Sequence, residues 1–323
     1  MDPQLQRAAG MMPMTDLTDP VAARAATLDF QRFVGELPTS EAVEIEEREI
    51  SGAAGAPAQF TRVYRPRRSS GAPPAVVWFH PGGFVLGDLD TDHARVLRLV
   101  EDVGCVVVTS MFRLAPEHPF PAGIEDAYAA LCWTVEHAAG LGVDPDRIAV
   151  GGCSTGATFA AAVALLTRDR GGPQPVFQML LYPALDDRLD TPSMTRFHDI
   201  PGGDRTGAEL MWRHYLGPLF GTAEVPAYAA PSRADDLAGL PPAYLMVNEI
   251  DVCRDEELEY GMRLVAAGVP VELHHFSGTY HAFESMVRGA DLSRRALDEQ
   301  VAVLRRALRR RSTRDRAAAR VGR

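Results

Sequence analysis

The chain has 323 residues, is 46% hydrophobic and carries a formal net charge of -10. This length and apolar content suit one α/β domain with an attached cap or two smaller domains, of which we favour the single domain. The acidic balance argues against a protein that binds phosphate backbones. Apart from histidine, every basic residue is arginine, because the chain contains no lysine. The absence of lysine excludes a P-loop, Schiff-base chemistry and a Ser-Lys nucleophile pair.

The N-terminus shows no basic segment followed by an apolar core, and no stretch of the sequence is apolar for long enough to cross a bilayer. The four cysteines, Cys105, Cys132, Cys153 and Cys253, form no C-x-x-C pair. These features favour a cytoplasmic protein with reduced thiols and with neither a nucleic-acid nor a membrane partner. The arginine-rich tail over 311–323 is interpreted as a solvated helix end.

Short β-branched runs alternate with longer helical patterns along the chain. The first two strands, 43–50 and 60–65, form a predicted antiparallel pair around a glycine-rich turn. Further strands are predicted at 75–79, 105–109, 147–150, 176–182, 243–247 and 271–276. Helices are predicted at 91–103, 122–139, 155–168, 255–267 and 291–310. This alternation predicts an α/β fold with a mostly parallel, eight-stranded sheet flanked by helices on both faces.

Two stretches do not fit the alternation and are too long for plain loops. One precedes residue 41 and contains a helix that stops at Pro38, with an apolar face formed by Phe30, Phe33, Val34 and Leu37. The other is an insertion at about 186–240. We therefore predict an N-terminal cap segment over 1–40, a main domain over 41–310 that carries the cap insertion, and the tail over 311–323. The cap is expected over the carboxyl ends of the strands, where open α/β sheets bind ligands.

A candidate nucleophile lies between an apolar strand and an alanine-rich helix. Residues 152–156 read Gly-Cys-Ser-Thr-Gly, and G-x-S-x-G in this context is typical of a nucleophile elbow, where a strained serine needs small flanking residues. A second loop, 80–84, reads His-Pro-Gly-Gly-Phe and also follows a strand. A hydroxyl nucleophile and a glycine loop with free amides are the two halves of an acyl-transfer site, which makes Ser154 the candidate nucleophile.

The partners of such a serine follow it in the chain, each after a late strand. His281 follows the last predicted strand, and Asp251 follows the strand before it. Glu249 and Asp255 lie close to Asp251 in the sequence and are alternative acids. The order of strands and loops therefore predicts a triad of Ser154, His281 and Asp251.

Five segments of the chain resemble the hormone-sensitive-lipase-like family of α/β-hydrolases, the bacterial carboxylesterases with a His-Gly-Gly-Gly loop upstream of the elbow. In order, these segments are 80–84, 112–122, 152–156, 251–256 and 281–283. Three further stretches, 185–194, 229–244 and 256–274, are similar to a bacterial acetyl esterase of that family. The resemblance implies an α/β-hydrolase fold, a small-molecule ester with a short acyl chain as substrate, no metal or organic cofactor, and a homodimer.

The resemblance also implies a role for each matching residue. Ser154 would attack an ester carbonyl, His281 would accept its proton, and Asp251 would hold the imidazole in the correct tautomer. Backbone N–H groups would form the oxyanion hole, and they belong to Gly82, Gly83 and Thr155. The candidate residues of the substrate pocket are Phe84, Met211, Trp212 and Tyr215.

Three positions depart from the family pattern. Pro81 replaces the first glycine of the upstream loop and has no N–H, Cys153 replaces the usual acid before the nucleophile, and Thr155 replaces the usual small residue after it.

Serine carboxylesterase is the predicted function. An acyltransferase, a lactonase or an eliminating enzyme of specialised metabolism would use the same triad. A non-catalytic small-molecule receptor is disfavoured, because receptors of this family have lost the catalytic histidine, whereas this chain keeps it as His281.

Overall fold

The computed structural model describes residues 1–9, 16–34, 36–53 and 55–309, with residues 30–34 described by their backbone alone. Its strands are β1 (Val43–Ile50), β2 (Gln59–Pro66), β3 (Ala75–Phe79), β4 (Val106–Ser110), β5 (Ile148–Cys153), β6 (Gln178–Leu181), β7 (Ala243–Ile250) and β8 (Val271–Tyr280). They form one eight-stranded sheet in the order β1-β2-β4-β3-β5-β6-β7-β8. The β1–β2 and β2–β4 pairs are antiparallel and the remaining pairs are parallel, which confirms the predicted sheet.

The described helices pack on both faces of this sheet. They are α1 (Pro3–Ala9), α2 (Pro20–Val34), α3 (His93–Val103), α4 (Ala122–Glu136), α5 (Ala138–Leu141), α6 (Thr155–Arg170), α7 (Pro192–Arg196), α8 (Arg205–Leu216), α9 (Arg254–Ala266), α10 (Phe283–Met286) and α11 (Asp291–Ala307). Alternate residues of β3 face opposite sides, as the two-residue period of a strand requires. Val77 and Phe79 pack in the core that contains α4, α6 and α9, whereas Val76 and Trp78 pack with α3 and α11.

Two late strands are longer than the sequence predicts. Strand β7 continues to Ile250 across an irregularity between Asn248 and Ile250, and β8 continues to Tyr280. The predicted loop over 277–280 is therefore wrong. Its Ser277-Gly278 pair resembles a turn, but Glu249 Oε2 accepts hydrogen bonds from the Ser277 hydroxyl and from the Gly278 N–H at 2.8 and 2.6 Å. His281 consequently follows directly on a strand.

The two stretches outside the alternation both contain helices. Helix α2 ends at Val34, before the predicted end near Pro38, and Leu37 is exposed; the side chains of Phe30, Phe33 and Val34 lie outside the described residues. The insertion holds α7, α8 and short 3₁₀ turns at Gly217–Leu219 and Pro231–Arg233. Residues 311–323 also lie outside the part that the structure describes. None of the described helices combines the length and the apolar character that a membrane crossing requires.

The face of the sheet that carries α3 and α11 contains a buried arginine. Arg95 of α3 is 2% exposed and donates hydrogen bonds to Glu284 and Gln300 at 2.8 and 2.6 Å. Asp92 lies 3.5 Å from the guanidinium and also accepts the indole N–H of Trp78 at 2.8 Å. These partners compensate the buried charge, which would be destabilising if it were unpaired. The same contacts join α3 to α10, α11 and the centre of the sheet.

We expect Arg95→Met to lower the free energy of unfolding by about 3–5 kcal/mol, because it leaves Glu284 and Asp92 as uncompensated buried carboxylates. The matched control is Arg98→Met, since Arg98 lies on the same helix and pairs with Asp102 and Asp298 nearer the surface; its loss should cost about 0–1 kcal/mol. Urea unfolding of both variants checks the prediction, and equal costs would contradict it.

Candidate active site

Ser154 lies at the tight turn between β5 and α6. Its φ and ψ are 51° and -126°, a strained conformation for a residue with a side chain. The turn is held by close packing, because a Cβ on Gly156 would lie 2.1 Å from the Phe79 carbonyl oxygen and one on Gly152 would lie 2.5 Å from the carbonyl carbon of Gly156. The Ser154 N–H also donates to the Leu181 carbonyl at 2.8 Å. These contacts fix the serine at the carboxyl end of the central strand.

The glycine loop after β3 has three successive residues with positive φ, which are Gly82, Gly83 and Phe84. A Cβ on Gly82 would lie 2.1 Å from the Leu86 carbonyl oxygen, so only glycine fits there. Pro81 does not remove the predicted donors, since those belong to the next two residues. Within the described parts of the chain, the N–H groups of Gly82, Gly83 and Thr155 donate to no protein acceptor.

Thr155 connects the loop to the elbow. Its hydroxyl accepts the N–H of Phe84 at 3.3 Å, while its own N–H belongs to the first residue of α6 and has no partner within the helix. The free amides of the loop and of the helix therefore lie side by side. Such a group of unpaired N–H donors suits a negatively charged oxygen.

His281 connects the serine to a buried acid. Its Nε2 lies 2.9 Å from Ser154 Oγ, and its Nδ1 lies 2.7 Å from Asp251 Oδ2. Asp251 is fully buried and accepts the N–H of Cys253 through Oδ1 at 3.1 Å. The two late strands produce this arrangement, because β7 and β8 are parallel neighbours that end on the same side of the sheet.

The structure distinguishes between the three candidate acids. Glu249 accepts hydrogen bonds from Ser277 and Gly278, and Asp255 pairs with Arg254 and accepts the N–H of Ser193. Neither of them contacts His281 among the described interactions. Asp251 is the acid that the structure brings to the histidine.

The pKa of His281 reflects two opposing effects. Burial alone would lower the pKa, but the charge of Asp251 and its hydrogen bond to Nδ1 outweigh burial and raise the pKa above its ordinary value. Glu284 adds to this increase from further away. The surroundings of His281 therefore favour its protonated imidazolium form.

The four candidate pocket residues lie together beside the glycine loop. The ring of Phe84 stacks on that of Tyr215 with centroids 3.8 Å apart and lies 5.3 Å from that of Trp212. Met211 packs on the loop, since a Cβ on Gly83 would lie 3.3 Å from its Cγ. All four side chains are buried. The structure thus brings them together as a packed wall.

Three residues near His281 were not predicted from the sequence, and they are Tyr182, Glu284 and Gly202. The ring of Tyr182 lies edge-on to His281 at 4.8 Å, and its hydroxyl donates to Glu284 at 2.7 Å. Gly202 of the insertion lies against the histidine, because a Cβ there would lie 2.7 Å from the Cβ of His281. Tyr182 follows β6 at the same end of the sheet as Ser154, a position that the strand order indicates. Nothing local in the sequence indicates the contact made by Gly202.

The elbow, the glycine loop and the order of the three polar residues define an α/β-hydrolase. A family model described as alpha/beta hydrolase fold matches residues 76–285. The chain belongs to this family and, within it, to the hormone-sensitive-lipase-like group.

The chain is similar to several named esterases. It is 40% identical to carboxylesterase NlhH of Mycobacterium tuberculosis over 95% of this chain and 96% of the relative, and 42% identical to esterase LipI of the same species over 76% and 77%. Among solved structures, bacterial heroin esterase superposes with a TM-score of 0.93 at 41% identity, covering 96% of this chain and 98% of that one. Esterase LipW of Mycobacterium marinum gives 0.85 at 39%, covering 95% and 96%.

Asp251→Asn should lower kcat by about 10⁴-fold, because an amide does not hold Nδ1–H and the imidazole then presents the wrong tautomer to Ser154. In the unaltered enzyme kcat/KM should rise with pH through the raised pKa of His281, since only the neutral imidazole accepts a proton. In the variant this acidic limb should move to lower pH, because burial then acts without the opposing carboxylate.

The control for this prediction is Glu249→Gln, which removes the charge of a neighbouring acid that does not contact His281. A pH series of kcat/KM on both variants is the measurement. An unshifted limb in Asp251→Asn, or an equal loss of kcat in Glu249→Gln, would rule out Asp251 as the triad acid.

Proposed function

We propose that this protein is a serine carboxylesterase that hydrolyses small esters with short acyl chains. The observation that carries the proposal is the continuous hydrogen-bonded chain from Ser154 through His281 to Asp251, with distances of 2.9 and 2.7 Å. The names of the relatives agree with it, since a protein that is 40% identical over 95% of this chain is called a carboxylesterase.

Acylation of the enzyme follows from these positions. Ser154 Oγ attacks the ester carbonyl carbon while His281 Nε2 takes the hydroxyl proton, and Asp251 stabilises the resulting imidazolium. Negative charge then develops on the carbonyl oxygen and is met by the N–H groups of Gly82, Gly83 and Thr155. One such donor typically contributes about a hundred- to a thousandfold in rate. The intermediate collapses as His281 returns the proton to the departing alcohol.

Hydrolysis of the acyl-enzyme repeats these steps with water as the nucleophile. His281 removes a proton from water, hydroxide adds to the acyl carbon, and the same proton returns to Ser154 as the carboxylic acid leaves. Because one histidine moves every proton and backbone amides stabilise every oxyanion, this mechanism calls for neither a metal nor an organic cofactor.

The packed wall beside the glycine loop supports a preference for small acyl groups. Phe84, Tyr215 and Trp212 fill the space next to the oxyanion donors, and Met211 closes on Gly83. A long acyl chain would have to displace these buried side chains, and such rearrangement of a packed core is costly. A short acyl chain needs no such movement.

We further propose that the described parts of 1–40 and the insertion at about 186–240 form one cap over the site. Arg24 of α2 donates to the Val85 carbonyl at 2.8 Å, beside the glycine loop. His214 Nε2 in α8 lies 2.8 Å from the Leu17 carbonyl oxygen, which joins the two parts of the cap. Gly202 lies against His281. The homodimer that the family resemblance implies stays a prediction.

A series of p-nitrophenyl esters from acetyl to decanoyl tests the proposed function. Turnover should be greatest with the shortest acyl groups, and Ser154→Ala should lower kcat by about a million-fold, because the triad acts as a unit. Ser277→Ala is the control, since it removes an exposed serine hydroxyl that bonds to Glu249 rather than to the triad.

Two results would overturn the proposal. One is turnover by Ser154→Ala at the rate of the unaltered enzyme, and the other is a correctly folded protein that releases no nitrophenol from any ester. Adding alcohols to the assay separates hydrolysis from acyl transfer, because a hydrolase forms mainly the free acid whereas a transferase forms mainly the new ester.

A further inference from the structure

A compact group of metal-binding side chains lies behind the triad acid. Asp251, Cys253 and Glu257 each place one ligand atom within 4.8 Å of the others, and all three side chains are buried. Cys253 and Glu257 are four residues apart at the start of α9, which places them on the same side of the helix. Asp251 immediately precedes this turn. Ligand atoms from two carboxyl groups and a thiol thus lie close together in the buried interior.

The carboxyl group of Glu257 is unusual for a buried group. Its side chain is fully buried, yet neither carboxylate oxygen has a hydrogen-bond partner among the described residues. Leaving a buried carboxyl without a donor is costly. The nearby arginine does not relieve it, because Arg254 donates to Asp255 and to the Glu249 carbonyl. Glu257 therefore adds two acceptor oxygens, unpaired within the described part of the chain, to a group whose ligand atoms lie close together.

We propose that Asp251, Cys253 and Glu257 bind a divalent transition-metal ion, best matched by Zn²⁺, and that this ion inhibits the enzyme. Zinc accepts thiolate sulfur at about 2.3 Å and carboxylate oxygen at about 2.0–2.2 Å, whereas Mg²⁺ and Ca²⁺ prefer oxygen ligands alone. Three protein ligands leave the fourth tetrahedral position for water. The thiol gives up its proton to solvent when the ion binds.

The site differs from a catalytic metal centre because the ion would bind Asp251, the carboxylate that stabilises His281. Asp251 contacts His281 through Oδ2 and the Cys253 N–H through Oδ1. A cation bound to this carboxylate neutralises its negative charge, so that Asp251 stabilises the imidazolium formed during acylation less well. Zinc should therefore lower kcat and leave KM nearly unchanged. The inhibition rests on the proposed esterase function, whereas the binding does not.

Binding is measured on the full chain with Zn²⁺ as the probe, by equilibrium dialysis and elemental analysis. Cd²⁺ is used in parallel for its ultraviolet thiolate charge-transfer band. The unaltered protein should bind one ion and show the band. Cys253→Ala should lose the band, and Glu257→Gln, which keeps the shape of a neutral carboxyl group, should bind at least about tenfold more weakly.

Two matched controls locate the ion. Cys105→Ala removes another buried thiol, which contacts the Leu99 carbonyl, and it should leave both the stoichiometry and the band unchanged. His281→Ala should also keep the bound ion if the ion lies behind Asp251. Loss of binding in His281→Ala together with full binding in Cys253→Ala would place the zinc on the triad histidine and overturn the proposal, as would a missing thiolate band in the unaltered protein.

Activity provides the second readout. Zinc should inhibit p-nitrophenyl acetate hydrolysis at least about tenfold at saturation, a chelator should reverse the inhibition, and Glu257→Gln should resist it relative to its own zinc-free rate. Stoichiometric binding through Cys253 without any esterase activity would refute the proposed function alone. Esterase activity that zinc inhibits equally in the unaltered protein and in Glu257→Gln would refute the inhibitory site alone.

Discussion

Ser154 has a φ of 51° because β5 turns directly into α6 within one residue, and the other parts of the site are arranged around that turn. A β-carbon does not fit at Gly152 or Gly156, so the backbone of the helix packs directly on the end of β3. The same closeness brings the glycine loop after β3 to the start of α6, where Thr155 bonds to Phe84. The strained turn thus determines where both the proposed nucleophile and the proposed oxyanion donors lie.

The underside of the elbow is electrostatically unusual. Cys153 is buried directly before Ser154 in the chain, and burial raises the pKa of its thiol well above the ordinary value although Arg95 acts in the opposite direction. The thiol is therefore protonated and packs as a small apolar group. Arg95 pairs instead with Glu284, which in turn accepts the hydroxyl of Tyr182 against the ring of His281. The buried charge network thereby supports the histidine as well as the fold.

Local patterns predicted the elements that depend on local chemistry. The bounds of β1 and β3 agree with the prediction at every residue, because each is a short apolar or alternating run between turn residues. The ends of β7 and β8 were not predictable in this way, since pairing across Gly278 depends on Glu249, 29 residues away along the chain. Choosing Asp251 from three nearby acids likewise required the position of His281.

The packed wall beside the glycine loop also depends on long-range contacts that the local sequence does not reveal. The sequence indicated Phe84, Met211, Trp212 and Tyr215 as a group, but their close packing depends on contacts between a loop and a distant helix. Glu257 is the clearest case of information that only the structure holds. In the sequence it is one acid in an acidic run at the start of α9, whereas in the fold it is a buried carboxyl group with no hydrogen-bond partner among the described residues.

Activation of Ser154 by His281 and Asp251 is tested most directly by labelling the protein with a fluorophosphonate, which reacts with an activated serine, and locating the adduct by peptide mass spectrometry. We expect one adduct per chain on Ser154, formed rapidly in the unaltered protein and far more slowly in His281→Ala. An adduct on another residue, or labelling of Ser154 that does not depend on His281, would contradict the central claim that His281 and Asp251 activate this serine.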